Sequence, residues 1–256
     1  LYNTDPACYQ LYDDPINQGV PFFLGLVSVE SPGSDGRRGG ATAAFGLLFD
    51  NPARSFFDFG HTDGDMLSFA AEAGELRYYV MAAPRLVDVL ETYTELTGHM
   101  AMPPLWALGY HQARWSYPDE AAVRDLASQF RRRRIPCDAV YLDIDYMDGY
   151  RCFTWNREAF PDHGSMIADL RADGIKTVAI IDAGVKADPG YAVHDDGLAR
   201  NAFVRKADGS LFMAPVWPGD CYFPDFTDPA VRAWWGDLYG GLLDDGVAGF
   251  WNDMNE

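Results

Sequence analysis

The chain has 256 residues, room for one large domain or two smaller ones, and its 48% hydrophobic and 23% charged content is ordinary for a globular protein. Against 20 Lys and Arg stand 38 Asp and Glu, a formal charge of −18 that repels phosphate backbones and anionic lipid and so disfavours nucleic-acid and membrane-surface roles. The four cysteines (Cys8, Cys137, Cys152 and Cys221) form no CxxC pair and the five histidines are dispersed, so neither a disulfide framework nor a metal site is indicated.

Residues 1 to about 84 read as β-structure. Val20–Val29, Ala43–Phe49 and Leu76–Ala82 are apolar stretches parted by turn-rich segments such as Ser31-Pro32-Gly33-Ser34-Asp35-Gly36. Leu86, Leu90, Tyr93 and Leu96 then keep a helical period closed by Gly98, and Met102-Pro103-Pro104 marks a boundary. From there strand and helix alternate. The apolar run Leu105–Tyr110 reads as a strand. Asp119 opens a helix with Val123, Leu126, Ala127 and Phe130 on one face, and Arg131 to Arg134 form its solvated, basic end. Met166, Ile167 and Leu170 mark a second helix, closed by Gly174. Asp228-Pro229 opens a third that runs to Gly246.

Three apolar runs in this part stop on an aspartate: Ala139–Leu142 at Asp143, Val178–Ile181 at Asp182, and Val247–Trp251 at Asn252-Asp253. Short continuous apolar runs are the pattern of strands buried on both faces, and parallel sheets carry their chemistry at the carboxyl ends of such strands. Each Asp taken alone could be a helix N-cap; three in succession point to carboxylates around one pocket rim. Between Gly184 and Thr227 lies a long insertion with a hairpin signal at Asp208-Gly209, and its Trp217-Pro218-Gly219-Asp220 segment is a candidate pocket wall. The pattern is α/β: the first half of a (β/α)8 TIM barrel over residues 99–256, preceded over residues 1–98 by a partial β-sandwich with a connecting helix. An eight-stranded barrel takes about 250 residues and half a barrel leaves open edges, so a longer polypeptide is expected. No signal peptide or membrane-length apolar stretch is present in these residues, and reduced thiols in a cytoplasmic protein are the default expectation.

The segment Gly249-Phe250-Trp251-Asn252-Asp253-Met254-Asn255-Glu256 resembles the signature of the α-glucosidases of glycoside hydrolase family 31. Gly109–Tyr117 is similar to that family's first barrel strand and the turn after it. Asp143–Tyr150 with Phe153-Thr154-Trp155 resembles its second, and Trp217-Pro218-Gly219 with Phe223–Thr227 supplies a third cue. Asn3-Thr4-Asp5-Pro6 and Pro21–Gly25 are similar to its β-sandwich domain. Ala113, Cys152 and Ala183 depart from the common pattern without removing a carboxylate.

The resemblance implies a retaining α-glucosidase that releases terminal α-linked glucose from oligosaccharides without a cofactor. Retention needs two carboxyl groups about 5 Å apart, a nucleophile and an acid/base. Asp253 is implied as nucleophile, forming a covalent glucosyl-enzyme that water opens. The acid/base lies later in the family's barrel, so this chain alone is expected to be inactive. Asp143 and Asp182 are implied as ligands of sugar hydroxyls, with Asp5 reaching in from the sandwich loop. Ile180, Trp217, Trp251 and Met254 are wall candidates for which core packing is the alternative. Glu256 either orients the nucleophile or binds a hydroxyl, or simply begins the next turn. A rival reading takes Asp143-Ile144-Asp145 as a metal-dependent DxD site for phosphoryl or nucleotide-sugar transfer, with both carboxylates on one side of a strand. No Gly-rich phosphate loop supports it, and it leaves the Asp253 motif unexplained. A related family 31 glycosidase with other sugar specificity is the nearer alternative.

Overall fold

The computed structural model describes residues 19–32 and 38–254. The expectations placed on Asp5, on its loop and on Glu256 lie outside the described residues. The chain divides into two compact units between Met102 and Pro103.

The first unit holds five antiparallel strands, β1 (Phe22–Pro32), β2 (Arg38–Phe49), β3 (Ser55–Phe59), β4 (Leu67–Ala71) and β5 (Tyr78–Ala83), in two sheets ordered β1-β2-β5 and β3-β4. Phenylalanines alternate along these strands and meet between the sheets. Phe23 packs edge-on against Phe59 at 5.0 Å, and Phe49 lies 5.1 Å from Phe69. Aromatic pairs at such spacings add to plain area burial, which suits a small two-layer unit. Helix α1 (Leu86–Thr97) ends at Gly98. Its buried stripe differs from the expected one: Leu86, Val89 and Tyr93 pack against β1, β2 and β5, whereas Leu90 and Leu96 are exposed. Val89, three residues after Leu86 and four before Tyr93, fits the 3.6-residue period with these two.

The second unit is built on four parallel strands, β6 (His111–Gln112), β7 (Ala139–Leu142), β8 (Lys176–Asp182) and β12 (Gly249–Asp253), in the spatial order β12-β8-β7-β6. Helix α2 (Glu120–Arg132) joins β6 to β7, α3 (His163–Ala172) joins β7 to β8, and α5 (Pro229–Leu238) with α6 (Gly240–Asp244) leads into β12. Spatial order follows chain order, with a helix between successive strands, as in half of a β/α barrel. Between β8 and α5 the long insertion forms its own layer: β9 (Val185–Lys186), α4 (Ala192–Ala199), β10 (Met213–Val216) and β11 (Gly219–Tyr222), the strands ordered β10-β11-β9.

Two expectations are corrected here. Leu105–Tyr110 is not a strand. Leu105–Leu108 forms a 3-10 turn with Leu105 and Leu108 largely exposed. Pairing begins only at His111, because Asp138 engages the Tyr110 amide at 3.1 Å and its carboxylate occupies the space beside Gly109, where a Cβ would meet it at 2.0 Å. Arg131 is not merely a solvated helix end either. Its guanidinium donates to the Asp173 carbonyl at 2.9 Å and the Cys137 carbonyl at 3.2 Å, tying the end of α2 to the turns before β7 and β8.

Register sorts the strand residues onto two faces. Tyr141 pairs with Val178, Trp251 with Ile180 and Asp253 with Asp182, so Tyr141, Val178, Ile180, Asp182, Trp251 and Asp253 share one face. Val140, Leu142, Ala179 and Ile181 take the other and join the helix residues Val123, Ala127, Met166, Ile167 and Leu170 in the core. Each Val, Leu, Ile or Met among them contributes about 1.5–3 kcal/mol of hydrophobic burial. Helices α2 and α5 begin where the capping residues predict: Asp119 accepts the Ala122 amide at 2.8 Å and Asp228 the Ala230 amide at 2.7 Å. Asp119→Ala should therefore cost about 1 kcal/mol of stability in denaturant titration, while Asp125→Ala on the exposed face of α2 should change it by less than about 0.5 kcal/mol.

Candidate active site

Four side chains expected at the site line one cleft of about 190 Å³: Asp143, Trp217, Trp251 and Asp253. Ile144 and Trp115 complete it. Sequence reasoning quoted both residues within longer motifs but did not single them out. Their signal was position alone, one residue past a rim carboxylate and just after the first barrel strand.

The strand ends deliver the carboxylates. β7 stops at Leu142, and Asp143 caps the 3-10 turn Ile144–Tyr146 by accepting the Ile144 amide at 2.7 Å. Tyr146, wholly buried, donates its hydroxyl to the Ile180 carbonyl at 2.9 Å, which pins this turn to β8. Asp182 ends β8 in register with Asp253 on β12. Directly after Asp253 the backbone turns at Met254, which has φ +56°, an uncommon value for a residue with a Cβ that ends the extended run at the rim.

Aromatic groups floor and wall the cleft. On the carboxylates' face, Tyr141 lies between Trp251, at 6.4 Å, and His111, at 5.6 Å. His111 Nε2 is 3.0 Å from the Trp106 carbonyl oxygen, so it carries the hydrogen, and Nδ1 accepts from the Tyr141 hydroxyl at 3.1 Å. Trp217 sits in the two-residue turn between β10 and β11, half exposed. The hairpin closely approaches the link between β8 and β9 at Gly184, where a Cβ would lie 2.9 Å from Val216.

Asp182 and Ile180 are placed differently from the rest. Ile180 is 1% exposed and packed in the core below the rim, and Asp182 is 3% exposed. Neither they nor Met254 line the cleft. Burial, reinforced by the charges of Asp253 and Asp143, pushes the Asp182 carboxyl up to about 7. Burial likewise raises Asp143, partly offset by the Ile144 amide, with Asp145 and Asp253 adding smaller upward effects. The thiol of Cys152, pushed up to about 12 chiefly by burial, donates to the Asp182 carbonyl at 3.2 Å.

The DxD reading loses its geometry. Asp145 is not two strand positions beyond Asp143 but inside the 3-10 turn, where it engages the Tyr150 hydroxyl. Among the described residues no group of three or more His, Cys, Asp or Glu is arranged to hold a metal ion.

The model of the glycosyl hydrolases family 31 TIM-barrel domain matches residues 100–256. Alpha-glucosidase 2 of Bacillus thermoamyloliquefaciens is 45% identical over 257 residues, covering all of this chain and 31% of that protein. Among solved structures, the family 31 alpha-glucosidase from Bacteroides thetaiotaomicron aligns with a TM-score of 0.84 at 37% identity, covering 100% of this chain and 41% of the other. The GH31 dextranase of Flavobacterium johnsoniae complexed with glucose aligns at 0.84 and 32%, covering 99% and 29%. The chain thus spans about a third of the length of the curated relatives it matches. With four parallel strands in barrel order, a carboxylate-rimmed cleft at their carboxyl ends and a family model covering all of that unit, the chain belongs to glycosyl hydrolase family 31.

Proposed function

We propose that this chain is the nucleophile-bearing part of a retaining α-glucosidase acting on oligosaccharides with terminal α-linked glucose. The observation that carries the reading is Asp253, at the end of β12, lining one cleft with Asp143 beneath Trp217 and Trp251. Relatives named α-glucosidases, similar over the whole chain, support it.

In this reading a glucosyl ring stacks on the tryptophans with its hydroxyls toward Asp143. The Asp253 carboxylate attacks the anomeric carbon from the face opposite the leaving oxygen, and the acid/base carboxyl gives that oxygen its proton. Water, deprotonated by the same group, then opens the glucosyl ester with net retention. The acid/base comes from later barrel units, so residues 1–256 alone do not turn over substrate. Asp5 keeps its proposed role as a hydroxyl ligand, and Glu256 its proposed role of orienting the nucleophile or binding a hydroxyl. The likeness to a dextranase favours one second reading, a family 31 glycosidase cleaving other α-glucosidic linkages; turnover of maltose against isomaltose separates the two.

Asp253→Ala, made in the polypeptide that carries the whole barrel, should lower kcat for an aryl α-glucoside by about 1,000-fold or more with the melting temperature little changed. A mechanism-based glucosyl inhibitor should label Asp253, as peptide mass mapping would record; undiminished turnover by the variant would sink the assignment. Trp217→Ala removes a half-exposed stacking face, and a roughly tenfold rise in KM, about 1.4 kcal/mol of binding, is expected at unchanged stability.

A further inference from the structure

Asp182 is the one rim carboxylate sealed from the cleft, and its surroundings do not suit a charge. It stands in register beside Asp253, is 3% exposed, and keeps Oδ1 buried with no hydrogen-bond partner among the described residues. Among the described residues, every titratable group that feels it is acidic or neutral at ordinary pH. Asp253 comes from β12 and Asp143 from the end of β7. Tyr146 and Cys152 follow β7, and Cys221 lies on β11. The bases of the adjoining loops are engaged elsewhere: Arg151 with Asp188 at 3.0 Å and with Asp148 at 3.3 Å, and the Lys186 ammonium with the Gly149 carbonyl at 3.2 Å. A buried carboxyl facing two others, with no cation against it among the described residues, is the arrangement in which one member keeps its proton.

Building on the reading of Asp253 as nucleophile, we propose that Asp182 is a positioning residue that works uncharged: it retains its proton throughout the reaction and leaves Asp253 as the ionised carboxylate facing the anomeric carbon. No proton of Asp182 enters the chemistry. The Asp253–carbon bond forms as the glycosidic bond breaks, the leaving oxygen takes its proton from the acid/base, and water reverses both changes. Asp143, less buried and holding the Ile144 amide, can carry charge at the open side of the cleft. With its carboxyl raised to about 7, Asp182 is neutral in mildly acidic solution and becomes charged above neutrality. The competing role, an ionised acceptor of sugar hydroxyls, requires the opposite protonation state.

Asp182→Asn separates the two, because the amide is an uncharged near-isostere. In the polypeptide carrying the whole barrel, kcat for an aryl α-glucoside at pH 6 should stay within about tenfold of the parent, and the contribution of a group titrating at about 7 to the parent's basic limb should be missing from the variant, whose basic limb is then set by the acid/base alone. A loss beyond about a hundredfold at pH 6, with the melting temperature preserved, would show that the ionised form is needed and overturn the proposal. Stability gives an independent reading. A carboxyl raised above 3.8 holds a proton in the folded chain that the unfolded chain has already lost, so the parent's stability falls as pH rises from about 4 to about 7 and levels beyond. The melting temperature of Asp182→Asn should gain on the parent through that window; a constant difference counts against the proposal. If the variant does not fold, 13C-carboxyl-labelled aspartate in the parent replaces it. One aspartate titrating near 7, still present in Asp143→Asn, supports the proposal, and titration of every aspartate below pH 5 refutes it. Asp253→Ala runs alongside: retained turnover there would remove the nucleophile reading itself, whereas a dead Asp253→Ala with a dead but folded Asp182→Asn removes only the role given to Asp182.

Discussion

The pairing of β12 with β8 in parallel register, Asp253 opposite Asp182, is the constraint on which the site depends. A strand buried on both faces can carry a carboxylate only at its end, where the apolar ladder stops and water or substrate begins. Parallel strands place those ends at the same edge of the sheet, so the acidic groups converge without any loop having to reach for them. The same convergence brings like charges together beside an apolar core. Exposure grades the result: Asp143 opens to the cleft, while Asp182 is closed off at the neighbouring strand end.

A rim of this kind needs its turns held, and the chain does so mostly with buried neutral donors. The Tyr146 hydroxyl reaches the Ile180 carbonyl, the Cys152 thiol the Asp182 carbonyl, and the Tyr191 hydroxyl the Cys152 carbonyl at 2.6 Å. Each satisfies a main-chain acceptor at the top of β8 or in the segment after β7 without adding a charge beside the carboxylates. Farther from the cleft an acidic side chain is held by ring donors: Asp245 receives the Trp155 indole N–H at 2.8 Å and lies 3.3 Å from His163, which stacks on Trp155 at 4.2 Å. That cluster anchors the segment after β7 to the turn ahead of β12.

The insertion after β8 makes the wall of the cleft from a small sheet rather than a mobile strap. Trp217 is presented at the tip of the β10–β11 hairpin, and β11 is in turn paired to β9, the direct continuation of β8. A ring held this way has little freedom left to lose, which is the usual advantage of a preorganised site.

Much of this was legible in the residues themselves. Apolar runs ending at Asp143, Asp182 and Asp253 mark strands, since a short continuous run between turn residues suits a parallel sheet better than a helix of the usual length. Asp119 and Asp228 mark helix starts, and Gly174 and Gly246, at φ +79° and +101°, mark their ends, because these are local demands of backbone donors and backbone angle. Side-chain placement was less accessible. The apolar run from Leu105 forms an exposed turn, since a strand requires partners that local pattern does not supply, and those begin only at His111. Asp145 looked equivalent to Asp143 until a 3-10 turn gave it to Tyr150. Ile144 and Trp115 join the cleft through packing across strands far apart in sequence. Above all, three aspartates read alike as strand ends, whereas exposure, and with it the protonation that sets their chemistry, was decided only when tertiary packing removed water from Asp182 and left it at Asp143.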